Sequence, residues 1–166
     1  MKKKSYNERY NIRKAYSGHY KSPEKLLESA SGGAASALSE RFLKDGGVVF
    51  GVRYSDDFRR AEYCCVTDAE DLPRLKGSKY ISSDKYMQYE GRRVLVHVLA
   101  GEFLAQGRNV LFFGLGCDIS ALKFCLSSRQ ISDAGLYTVD LICHGPTFPE
   151  IHLAFIEKLE KKYKAE

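Results

Sequence analysis

No stretch of this 166-residue chain is long and apolar enough to span a membrane, and the lysines at positions 2–4 lead into polar residues rather than a signal-peptide core. A cytoplasmic protein without a membrane span is expected. Cysteine is sparse and odd in number, five in all, which argues against a disulfide framework and for reduced thiols. Internal repeats and low-complexity segments are absent, as are a Ser-His-Asp triad, an HExxH pair, a Walker A loop and a GxGxxG fingerprint. The net charge of +5 gathers near the ends, at Lys2, Lys3 and Lys4 and at Lys158, Lys161, Lys162 and Lys164. Without aromatic residues interleaved through a basic stripe, such runs read as solvated tails or helix faces, and no nucleic-acid partner is expected.

What is present is an ordinary globular composition, 44% hydrophobic and 28% charged, in a length that suits one domain. Residues 1–22 read as a polar arm with one short strand over 13–16, and residues 23–166 as a single α/β domain. Ala34, Ala37, Leu38 and Phe42 lie on one helical face and predict a helix over 31–44, ended by Gly46-Gly47. Residues 48–54 and 61–67 predict a hairpin turned at Asp56-Asp57, and Asp68 is placed to cap a short helix to about 75. A short strand over 80–83 and a helix over 89–105 follow, although Val94, Val96 and Val98 alternate as a strand would. Residues 109–113, 120–126, 136–143 and 149–163 then predict strand, helix, strand and helix, with both strands buried on two faces. That alternation argues for an α/β fold, an open mixed, largely parallel sheet with helices on both faces.

In such a sheet the strand carboxyl ends and helix amino ends converge, and cofactors sit there. Four short motifs fall at those edges. Ser31-Gly32-Gly33 opens the first long helix; Ser31 can cap it, and the glycines leave N–H groups uncovered for an anion or a flavin phosphate. A closely packed small-residue helix start would look the same. Gly77-Ser78-Lys79-Tyr80 offers a tight turn, a hydroxyl, a compact cation and an aromatic face. Lys79 can bind phosphate or stabilise charge on a reduced flavin ring, or simply occupy an exposed loop. Gly114-Leu115-Gly116-Cys117 joins a buried strand to a helix, where the dipole stabilises a thiolate. Cys143-His144 ends the next strand, so Cys117 and Cys143 approach each other if those strands are neighbours. Two thiols are too few for an iron–sulfur cluster with four protein ligands, and both also read as small buried hydrophobes. Cys64 and Cys65 point to opposite strand faces and Cys125 lies on an apolar helix face, so these three read as structural. Asp118 reads as a helix-start residue with no further role.

Taken in order, these residues resemble the coenzyme F420 hydrogenase/dehydrogenase beta-subunit family. The Ser-Gly-Gly start, the strand Gly47-Val48-Val49-Phe50-Gly51, the Gly-Ser-Lys-Tyr turn, the turn and helix over 114–126, and the strand end from Val139 to Gly145 follow that family's order. The likeness runs over roughly 15–155, with two departures: Leu115-Gly116 stands where the family has Thr-Pro, and Asp118 where it has Gln. The resemblance implies a flavin-dependent oxidoreductase, with FAD at the sheet edge passing electrons between iron–sulfur clusters and a soluble two-electron carrier such as coenzyme F420. It implies that Ser31, Gly32, Gly33, Ser78, Lys79 and Tyr80 line the flavin, with Lys79 stabilising negative charge near N1 during hydride transfer at N5. Gly114, Gly116 and Cys117 would approach from the next strand. Cys117 and Cys143 would be the thiols beside a [4Fe-4S] cluster, and an iron–sulfur or ferredoxin-type protein the electron partner. Family members often begin with a ferredoxin-like segment and continue well past the Cys-His-Gly strand, so a shortened relative or an N-terminal portion is expected. A second reading keeps the scaffold as a non-catalytic, partner-binding subunit. A third makes Cys117 a nucleophile with His144 as its base.

Overall fold

The computed structural model describes residues 14–164, which fall into two compact units divided between Ala34 and Ala35. Among its described residues the first holds a short helix, α1 (Pro23–Leu27), whose start is set by proline at its first position and by the Ser22 hydroxyl accepting from the Lys25 N–H at 3.3 Å. The strand expected over 13–16 begins outside the described residues, and Lys14, Ala15 and Tyr16 form no regular element.

Helix α2 (Ala34–Lys44) leads into the second unit. There β1 (Val48–Tyr54) and β2 (Ala61–Val66) form the expected hairpin, followed by a 3-10 helix (Ala69–Leu75) that Asp68 caps through the Glu70 N–H at 3.1 Å. Next come β3 (Ser83–Asp84), β4 (Tyr86–Tyr89), β5 (Arg92–Leu95) and α3 (Val96–Ala105). The chain continues through β6 (Val110–Leu115), α4 (Gly116–Ser128), β7 (Leu136–Leu141) and α5 (Pro149–Tyr163). Five strands make one sheet in the order β3-β2-β1-β6-β7. Only the β1–β2 pairing is antiparallel; β2–β3, β1–β6 and β6–β7 are parallel. This is the expected mixed, largely parallel sheet.

Strand alternation divides the core between two faces. Val48 and Phe50 of β1 and Val110 and Phe112 of β6 pack beneath α3 and α4, against Leu99, Phe103, Ile119 and Leu122. Val49, Leu111 and Phe113 point the other way, toward Leu72 of the 3-10 helix and Phe42 and Leu43 of α2. Gly51 is what lets the 3-10 helix lie flat: a β-carbon there would come within 3.1 Å of the Leu75 side chain.

Three expectations give way. The helix placed over 89–105 is split, because residues 86–95 form a separate two-stranded hairpin, β4–β5, before α3 begins. Its two-residue loop is Glu90-Gly91, both with positive φ (48° and 75°), the geometry of a type I′ turn. Of the alternating valines only Val94 lies in a strand; Val96 and Val98 belong to α3. The first long helix starts at Ala34 rather than Ser31, because Gly33 adopts a left-handed φ of 81° that breaks the helical path. Strand β7 is not buried on both faces: it is the sheet's edge, with Tyr137 and Leu141 exposed.

Candidate functional site

Strands β6 and β7 run in parallel register, Gly114 opposite Asp140 and Leu115 opposite Leu141. Their carboxyl ends stop together, and Cys117 and Cys143 each lie two residues beyond the last pair, both exposed. The neighbouring-strand condition for bringing those thiols to one edge is thus met. Gly116 opens the 13-residue α4, and a β-carbon on it would sit 3.6 Å from the Asp140 carboxylate. Beyond β7 the chain crosses to the other flank. Thr147 pairs with Ile81 in a parallel bridge and donates its N–H to the Tyr80 carbonyl at 2.7 Å. The strap over 142–147 therefore links the end of β7 to the Gly-Ser-Lys-Tyr turn. Along it, the Cys143 sulfur accepts from the Gly145 N–H at 3.2 Å, and His144 is exposed.

Ser78 and Tyr80 are exposed, whereas Lys79 folds back. Its Nζ donates to the carbonyls of Leu75 (2.8 Å), Lys76 (2.7 Å) and Gly77 (2.9 Å), stapling the end of the 3-10 helix, where the macrodipole favours a cation. All three ammonium hydrogens are thereby engaged, and Lys79 acts on its surroundings through its charge. Burial pulls its pKa down to about 8, opposed by the nearby Cys64 thiol.

Ser31, Gly32 and Gly33 belong to the first unit. There the Gly32 carbonyl accepts from the Tyr20 N–H at 2.9 Å, and β-carbons on Gly32 and Gly33 would collide with the Gly18 carbonyl and the Tyr20 ring respectively. Both glycines allow a close internal approach in that unit. Cys64 and Cys65 face opposite sides of β2, as expected, and burial raises their thiols to about 11 and about 12.

A buried polar cluster escaped the sequence reading. Asp118, only 4% exposed, accepts from the Tyr63 hydroxyl at 2.9 Å and from Lys85 Nζ at 2.8 Å, and takes a longer contact of 3.4 Å from the Leu115 N–H. Lys85 also lies over the Tyr63 ring, 4.8 Å from its centroid, and donates to the Ser83 hydroxyl. Burial, followed by the Asp118 charge, drives the Tyr63 phenol strongly upward, so it remains a donor. His97 completes the group: its Nε2 is buried without a hydrogen-bond partner, and desolvation lowers its pKa. Asp118 thus ties β2, the β3–β4 junction and the Gly114–Cys117 turn together, a role its position at a helix start did not reveal. Its partners are 33 and 55 residues away in the chain, and no local spacing signals them.

The cysteine donors are few: among the described residues no group of three or more His, Cys, Asp or Glu side chains could hold a metal ion. No helix among them is long and apolar enough to cross a membrane.

A five-stranded, mostly parallel sheet flanked by helices defines the class: an open-sheet α/β protein, with glycine turns, a strap and exposed thiols at its carboxyl edge. Residues 15–86 match the model of the coenzyme F420 hydrogenase/dehydrogenase beta subunit N-terminal region. The chain's fold is shared with a chain from the xenon-derivatised F420-reducing [NiFe] hydrogenase complex of Methanosarcina barkeri, at a TM-score of 0.64 and 18% identity. That likeness covers 84% of this chain but only 47% of the other, so the chain spans about half the length of the protein it resembles. No curated protein matches it.

Proposed function

We propose that this chain is a flavin-binding redox module that serves electron exchange with a soluble two-electron carrier of the coenzyme F420 type. The family match over 15–86, which includes the Gly77–Tyr80 turn, is the observation that carries this reading. The neighbour's membership of a hydrogenase complex supports partner subunits for this chain, and an iron–sulfur protein is the electron partner of this proposal. A cytoplasmic setting, where thiols stay reduced, suits the exposed Cys117 and Cys143.

The residues at the carboxyl edge fit FAD in kind. Gly116 and Cys117 present a long helix's N-terminus, Tyr80 offers an exposed aromatic face, and Lys79 holds a fixed charge behind the turn. When bound, FAD supplies two-electron chemistry that neither side chains nor backbone can provide. Lys79 lowers the cost of negative charge near the flavin without donating a hydrogen, since its hydrogens already serve carbonyls. Asp118 holds the Gly114–Cys117 turn from below through Leu115. The donor set does not fit a [4Fe-4S] cluster held by this chain alone: Cys117 and Cys143 supply two of the four ligands such a cluster takes. They face a cluster carried by the partner.

Isothermal titration of the purified protein with FAD, with FMN as control, tests this reading. Micromolar affinity, reduced about tenfold by Lys79→Ala, is the expected result. Because burial leaves Lys79 with a pKa near 8, affinity should also fall as pH rises through about 8, where the ammonium charge disappears. Absence of FAD binding would transfer the chain to the partner-binding, non-catalytic reading.

A further inference from the structure

At the carboxyl end of β1 lies a cleft of about 340 Å³ between the strand end, the β1–β2 turn and the C-terminal end of the 3-10 helix. Four basic side chains line it, Arg53, Arg74, Lys76 and Lys79, against a single carboxylate, Asp56. A second cavity in that unit, about 220 Å³ between the end of α4 and the following loop, carries one lysine and one aspartate and has no such imbalance. We infer that the β1 cleft is an anion site for a phosphate ester, the pyrophosphate of a dinucleotide being the fitting form. The dinucleotide part of this inference rests on the flavin reading above.

The four cations divide the work. Arg53 is held by Asp56 at 2.9 Å and Glu62 at 2.6 Å, so it forms a fixed wall rather than a free donor. Lys79 is fixed by its three carbonyls and contributes charge alone. Arg74 approaches Asp71 at only 3.7 Å, and both side chains are more than half exposed; so loose a surface pair is worth little and yields to a dianion. Its guanidinium can then offer a bidentate fork to phosphate oxygens, with the Lys76 ammonium as a second point charge. The carbonyls at the end of the 3-10 helix would repel an anion, but Lys79 covers those of Leu75, Lys76 and Gly77. The aromatic wall is already engaged: Tyr54 stacks on His152 of α5 at 5.5 Å and packs near Phe58. The cleft therefore selects for charge and not for a stacked ring. All of its lining falls within the residues that match the family model.

The test compares FAD, riboflavin and inorganic pyrophosphate as titrants of the full chain and of an Arg74→Glu/Lys76→Glu variant, with Arg74→Gln/Lys76→Gln as a milder second. Circular dichroism would establish that each variant remains folded. FAD binding weakened at least tenfold in the variants, with riboflavin binding unchanged and the wild-type FAD affinity falling with added salt, supports the dinucleotide pyrophosphate as occupant. Pyrophosphate binding that the variants abolish, in a chain that binds no flavin, keeps the anion site and overturns only the flavin reading. FAD binding that neither variant alters overturns the inference while leaving the flavin reading intact. No binding of either pyrophosphate or FAD to the wild type overturns both.

Discussion

Strands β6 and β7 are adjacent, parallel and in register over six residue pairs, yet they live in different surroundings. β6 is buried along nearly its whole length between α3 and α4 on one face and α2 with the 3-10 helix on the other. β7 has the sheet on one side only, and most of its residues reach solvent. The difference separates two jobs. β6 holds the fold and delivers the Gly114–Cys117 turn from a rigid base. β7 and the strap beyond it leave Cys143 and His144 exposed to solvent.

The largest effect should come from the buried strand. Phe112 is fully buried and stacks on Phe50 and Tyr63 at 5.8 and 5.3 Å, so Phe112→Ala should cost about 3–5 kcal/mol in denaturant unfolding. A loss below 1 kcal/mol would remove the contrast with β7.

Beneath the same strand's end, Asp118→Asn keeps an acceptor for Tyr63 but leaves Lys85 facing a neutral group. Lys85 is about one-third exposed, so water softens the loss; about 1–3 kcal/mol is expected. If the flavin proposal holds, this variant should also weaken FAD binding by loosening the Gly114–Cys117 turn. Destabilisation with unaltered FAD affinity would separate the fold role from the site role.

A smaller effect concerns acid. Desolvation holds the folded-state pKa of His97 below its ordinary value, so between that pKa and the unfolded value near 6.5 the unfolded chain binds more protons. The contribution of neutral, buried His97 is fully present above the unfolded pKa and declines as pH falls below it. His97→Gln should flatten the stability profile between pH 7 and 5; a wild-type-like slope in that variant would assign the acid sensitivity elsewhere.

The smallest effect belongs to the exposed side. Ile142, 92% exposed on the strap, should lose less than about 0.5 kcal/mol on change to serine. A measured loss above 1 kcal/mol would mean that the strap is covered in solution.

Much of this architecture was legible in the sequence because it is local. The β1–β2 hairpin, the Asp68 cap, α5 and the β6-α4-β7 alternation rest on spacing, caps and apolar runs that neighbours in the chain supply. The β4–β5 hairpin was hidden because its loop uses glutamate at a left-handed position, where asparagine or aspartate would have announced the turn. The exposure of β7 was hidden because an apolar strand reads alike at a sheet's centre and at its edge. The motifs of the candidate site could be recognised as motifs; Ser31–Gly33 and Gly77–Tyr80 fall within residues 15–86 that match the family model, and the Gly114–Cys117 turn and Cys143 fall outside it.

The sequence by itself determined most of the element types, the α/β class and the likeness to the beta-subunit family, since each depends on short-range pattern or on the order of short motifs. Only the tertiary structure decided what those residues face. It turned Lys79 back onto three carbonyls, joined Tyr80 to the strap through Thr147, and gathered four cations around one cleft. It also brought Tyr63, Lys85 and His97 to Asp118 across separations that no local pattern encodes. The physical reason is the same in each case: helix and strand propensities act over a few residues, whereas burial and charge act on whatever the folded chain brings within reach.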